Sequence, residues 1–161
     1  MKAKKIIHIS FIILWMIIIF LFSAADGKKS EEQSDEIIVT TAEIIKKEKL
    51  TVEEKERIID KYIVLVRKSA HFFLYFVLGI LVYLYVNKIY DTSLKTFIIT
   101  IIVCAIYAIS DEIHQMFSIE RSAEIRDIIV DMGGSLLAEV LLTIIFMIKG
   151  KTKKKEANWK Q

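Results

Sequence analysis

Four stretches of this chain, 6–25, 70–86, 94–113 and 128–148, are apolar over about the length a helix needs to cross a bilayer. A spanning helix takes roughly 17–25 such residues, because the hydrocarbon layer is thick and offers the backbone no hydrogen bonds. These runs are apolar all round, whereas the helices of a water-soluble bundle carry an apolar stripe. No proline interrupts them, and 54% of the 161 residues are hydrophobic. The mean hydropathy is +0.45. The sequence therefore predicts an all-α integral membrane bundle of four transmembrane helices.

Charge and cysteine exclude other classes. The net charge is only +3, and the lysines are dispersed or terminal, so no nucleic-acid partner is expected. The single cysteine, Cys104, lies inside the third apolar run and reads as a small buried hydrophobe. No CxxC pair, HExxH, GxSxG or phosphate-cradling glycine loop is present, and no metal or cofactor is expected.

The flanking charges orient the chain. Residues 1–5 form a basic start and 149–161 a basic tail; both are expected in the cytoplasm of a cell-membrane protein. The basic start, apolar run and Ser23-Ala-Ala25 also describe a secretory leader. The length of the run and the bulky Trp15 within it favour a retained first helix. Residues 26–69 should then be extracytoplasmic. They read as an amphipathic helical segment between helices one and two. Ser34/Asp35 is a candidate cap for a short helix, and Thr51-Val-Glu-Glu54 is a capping box opening a second. The membrane domain as a whole covers 6–148.

The polar residues that interrupt these runs are expensive there, roughly 2.5–3.5 kcal/mol for an acid at a helix centre. On a helix, Arg67, His71 and Tyr75 stack at i, i+4 on one face, with Lys68 beside them. On the third helix Asp111 and Gln115 share a face, and Glu112 lies about 100° away. On the fourth, Asp127 sits one turn above Asp131, and Gly134 and Ala138 extend that face with small residues. Together with Arg121 these residues are expected to converge beneath the outer leaflet. Glu139, deeper in the fourth run, needs an interior partner; Tyr75, Tyr83 and Tyr107 are the candidates. One reading of the set is structural glue. A second is a binding site in which Arg67, Lys68 and Arg121 hold an anionic group. A third is an enzyme in which His71 and Glu112 act as acid and base or hold a metal.

Three ordered blocks resemble the VanZ-like family. They are Arg67-Lys-x-x-His71-x-x-x-Tyr75-x-x-Leu-Gly79, Ser110-Asp-Glu-Ile-His-Gln-x-Phe117, and Arg121-x-x-Glu-Ile-Arg-Asp127-x-x-x-Asp131-x-x-Gly134. The opening Phe22-Ser-Ala-Ala-Asp-Gly27 is also similar to that family's start. The resemblance implies a small bacterial multi-helix membrane protein. It further implies a link to low-level resistance to the glycopeptide teicoplanin. Carried over by position, the recurring polar residues are Lys68, His71, Tyr75, Asp111, Glu112, Gln115, Arg121, Asp127 and Asp131. One departure is clear: the family's Pro-Gly turn before the arginine is Ile119-Glu120 here. The expected partner is a membrane lipid or a lipid-linked wall precursor.

Overall fold

A computed structural model gives the backbone of residues 2–23, 27–90, 94–117 and 124–158, and side chains over 5–23, 32–90, 94–117 and 124–149. These are the described residues. They form five helices: α1 (Lys2–Ser23), α2 (Gly27–Lys46), α3 (Val52–Tyr90), α4 (Leu94–Gln115) and α5 (Ile125–Asn158). No strand occurs among them. α1, α3, α4 and α5 are each long and apolar enough to cross a membrane.

The bundle is packed with its polarity turned inward. On α4 the buried positions are Thr96, Thr100, Cys104, Ala108, Asp111, Glu112 and Gln115, a stripe advancing about one turn at a time. On α5 they include Asp131, Ser135, Ala138 and Glu139. The outer faces carry Ile98, Ile102 and Ile106 on α4, and Leu137, Leu141 and Ile144 on α5, all exposed. A soluble protein hides such side chains and rarely exposes large contiguous apolar patches. Here hydrocarbon is the solvent, so the large aliphatics face out while small and polar side chains meet between helices.

Contacts fix the antiparallel order. Lys88 Nζ at the end of α3 lies 3.1 Å from His8 Nδ1 near the start of α1. At the opposite end of α1, Gln115 Nε2 donates to Ser23 Oγ at 2.6 Å. Trp15 Nε1 donates to the Leu74 carbonyl at 2.9 Å, and Tyr107 OH to the Met16 carbonyl at 2.5 Å. Tyr83 OH and Thr143 Oγ1 lie 3.0 Å apart, pinning α3 to α5. The start of α1, the end of α3 and the C-terminal part of α5 thus lie at one end of the bundle. The end of α4 and the start of α5 lie at the other.

Two sequence expectations change. The helix opened at Thr51 does not stop before the apolar run. α3 continues unbroken for 39 residues, about 58 Å at the helical rise, nearly twice a bilayer core. Nothing between Lys61 and Ser69 breaks a helix, so the transition from polar to apolar leaves the backbone ladder intact. The capping box is formed: Thr51 N donates to Glu54 Oε2 at 2.9 Å, and Glu54 N donates to Thr51 Oγ1 at 3.4 Å. Ser34 and Asp35, by contrast, lie inside α2, which starts earlier at Gly27, and not at its N-terminus. α2 folds back on the first half of α3. Lys46–Glu54 at 2.7 Å and Lys55–Glu43 at 3.4 Å close this hairpin, with Lys47 at φ 58° ending α2.

α3 and α5 approach closely through small residues. A Cβ at Gly79 would stand 2.9 Å from the Ser135 Cα, and one at Gly134 would collide with the Phe72 carbonyl oxygen. This contact places the polar turns of α3 and α5 side by side.

Candidate functional site

The described polar residues of the set, His71, Asp111, Gln115, Asp127 and Asp131 among them, gather at the end of the bundle where α4 stops and α5 begins. His71 Nδ1 on α3 lies 3.6 Å from Asp131 Oδ1 on α5. Asp111 on α4 completes a cluster: one ligand atom from each of His71, Asp111 and Asp131 lies within 4.8 Å of the other two. Asp111 and Asp131 are almost wholly buried. The placement follows from the stripes above. His71 stands one turn before the buried Tyr75, Asp111 continues the Thr100–Cys104–Ala108 row, and Asp131 continues the Ser135–Ala138 row.

Around this centre each side chain has a distinct setting. Gln115 Nε2 reaches Asp111 Oδ2 at 3.4 Å while donating to Ser23, so α1 helps to hold the aspartate. Oδ1 of Asp111, Oδ1 of Asp131 and the hydroxyl of Tyr75 are buried with no hydrogen-bond partner among the described residues. The Tyr75 ring lies 6.1 Å from that of Tyr107. Closer to the surface, Lys68 Nζ is paired with Asp127 Oδ1 at 3.0 Å. Glu112 Oε1 accepts the Glu124 backbone N–H, tying the last turn of α4 to the residue before α5. Arg67 lies on the same turns of α3, half-buried. Arg121 and the Ile119-Glu120 departure lie outside the described residues.

A cleft of about 220 Å³ opens beside the cluster between α3 and α5. It is lined by the polar Lys68 and Ser69 and by the apolar Phe72, Phe73 and Val130. Phe73 is 65% exposed, so the cleft opens toward the surface that faces lipid.

Sequence reasoning missed three features. Ser23, which the sequence shows as part of a cleavage pattern and of the family-like opening, is a buried partner of Gln115; a lone serine ending an apolar run is the available signal. Phe72 and Phe73, which line the cleft, read from the sequence as ordinary span. Glu139 has none of the expected tyrosine partners. Tyr83 bonds to Thr143 and Tyr107 to a backbone carbonyl, and both Glu139 carboxylate oxygens are buried with no partner among the described residues.

A family model described as VanZ/LLP1 matches residues 8–147, and the chain belongs to that family. No curated protein and no solved structure matches it.

Proposed function

We propose that this member of the VanZ/LLP1 family binds a lipid-linked anion of the cell envelope from the outer side of the membrane. The reading rests on one observation: a lysine, a serine and two phenylalanines line the α3–α5 cleft, and its lining residues Phe72 and Val130 are the chain neighbours of His71 and Asp131 in the buried His71–Asp111–Asp131 cluster. An acyl or polyprenyl chain fits the apolar wall. A phosphate or carboxylate head fits Lys68 Nζ and Ser69, with Asp127 holding the lysine in place. Among the described residues, Lys68 is the cation that lines the cleft.

The outward orientation follows from charge. Lys2, Lys4 and Lys5 begin α1, and Lys149 to Lys155 lie in the last turns of α5, at the end opposite the cluster. Basic flanks stay in the cytoplasm, which puts both termini inside and the cleft outside. Glycopeptides act on wall precursors outside the membrane. Binding such a lipid there is a route to altered teicoplanin susceptibility.

A second reading, an enzyme acting on a lipid or wall precursor, draws on the same cluster. His71 supplies the proton-transfer group beside two carboxylates, whereas Glu112 is engaged by the Glu124 amide. The two readings separate cleanly. Lipids retained on the purified protein are identified by mass spectrometry for the wild type, Lys68→Ala and His71→Ala. A phosphate- or carboxylate-bearing lipid retained by the wild type and lost from Lys68→Ala supports binding. Its conversion by the wild type but not by His71→Ala adds the enzymatic reading. Equal retention by Lys68→Ala ends the proposal.

A further inference from the structure

The cluster beneath the cleft has the composition of a metal site. We infer that His71, Asp111 and Asp131 together bind one divalent cation, of the manganese-to-zinc class. One imidazole and two carboxylates are the donor set that such ions take, harder ions preferring the oxygens and zinc the nitrogen. The three ligand atoms come from three different helices and lie within 4.8 Å of one another. The His71 Nδ1 to Asp131 Oδ1 separation of 3.6 Å is close to the about 3.4 Å between two ligands on one tetrahedral ion with bonds of about 2.1 Å.

Burial separates this group from an ordinary patch of acids. Asp111 is 3% exposed and Asp131 1% exposed. Each has its Oδ1 without a hydrogen-bond partner among the described residues, and so has the hydroxyl of the fully buried Tyr75. Two carboxylates face one imidazole, while the neighbouring Lys68 is paired with Asp127. A buried pair of acids needs a compensating charge or ligand, because desolvation costs several kcal/mol per ion. A divalent ion supplies two charges at one point.

The outer contacts are those that metal ligands usually have. Gln115 holds Oδ2 of Asp111, leaving Oδ1 for the ion, and Ser23 anchors Gln115 from α1. Gln115 is therefore a positioning residue. Three protein ligands leave further coordination positions for water or an oxygen of a bound head group. The inference does not require the lipid reading; it stands on the cluster alone.

The test uses full-length protein in detergent, stripped with chelator and titrated separately with Mn2+ and Zn2+. Bound ion is measured by equilibrium dialysis with elemental analysis. The wild type is expected to bind about one ion per chain and to unfold at higher temperature when loaded. Asp131→Asn and His71→Gln are expected to weaken binding by more than about a hundredfold, and Gln115→Leu by about tenfold. Lys88→Ala, at the opposite end of the bundle beside His8, is expected to bind the ion as the wild type does. Circular dichroism checks that each variant is folded; should Asp131→Asn fail to fold, His71→Gln and Gln115→Leu decide. A wild type that takes up neither ion overturns the inference. Binding undiminished in the folded cluster variants does so equally.

Discussion

His71 on α3 and Asp131 on α5 face each other across 3.6 Å, and the Asp131 carboxylate is almost wholly shielded from solvent. Their contact is one of several that join α3 to α5, beside Lys68–Asp127 and Tyr83–Thr143. A double-mutant cycle with His71→Ala and Asp131→Asn, read by thermal unfolding in detergent, should return a coupling of about 1–2 kcal/mol. Strictly additive effects would show that the two residues share no interaction.

Backbone proximity makes a sharper prediction at the paired glycines. A Cβ at Gly134 would overlap the Phe72 carbonyl oxygen and stand 3.0 Å from the Phe76 amide nitrogen, and no rotamer relieves a clash with backbone. Gly133 differs, since its Cβ would meet only the Phe72 ring at 3.6 Å. Gly134→Ala should cost about 1–3 kcal/mol, seen as a lowered unfolding midpoint, and Gly133→Ala should leave the midpoint nearly unchanged. Equal effects at the two positions would contradict the α3–α5 packing.

Acid should loosen the α2–α3 hairpin. The Leu50 N–H donates to Glu43 Oε1 at 3.2 Å, and Lys55 Nζ lies 3.4 Å from the same oxygen. These contacts, the Leu50 amide first, hold the Glu43 carboxyl below its usual value of 4.5. Because the folded value is the lower one, the stabilisation is complete above the unfolded pKa and is lost as pH falls through the lowered folded value. Hydrogen exchange at the Leu50 amide, corrected for its intrinsic rate, should accelerate with acid in the wild type. Glu43→Gln, which accepts the same bond without titrating there, should abolish that dependence.

Glu139 presents the opposite case. It is fully buried and neither oxygen has a partner among the described residues. Replacing an unsatisfied buried polar group by an apolar one of similar size removes its desolvation cost, about 1–3 kcal/mol. Glu139→Met should therefore raise the unfolding midpoint. A marked fall instead would mean that the carboxylate is satisfied within the folded protein.

Much of this architecture was legible in the sequence, for a physical reason. A bilayer demands uninterrupted apolar length, so the four spans stand out as runs. A polar group in such a run must turn inward, so His71, Asp111 and Asp131 could be expected to converge before any coordinates. What periodicity cannot reveal is which inward group meets which. Glu112 is one residue from Asp111, yet the rotation between them sends its carboxylate to the Glu124 amide. The tyrosines expected at Glu139 were equally inward, but Tyr83 and Tyr107 bond to Thr143 and Met16. The continuity of α3 was hidden because a change from polar to apolar marks a change of solvent, not a helix end. That His71, Asp111 and Asp131 stand closest together within the polar set was not legible, because they come from three helices with no spacing motif linking them.

The central claim is that the α3–α5 cleft holds a lipid bearing an anionic head. A photo-crosslinking amino acid placed at Phe73, in the cleft, and separately at Phe11, on the exposed face of α1, tests it in intact cells. The account predicts a phosphate- or carboxylate-bearing lipid adduct, identified by mass, that is enriched at Phe73 over Phe11 and lost on adding Lys68→Ala. The same bulk-lipid adducts at both positions, unchanged by Lys68→Ala, would contradict it.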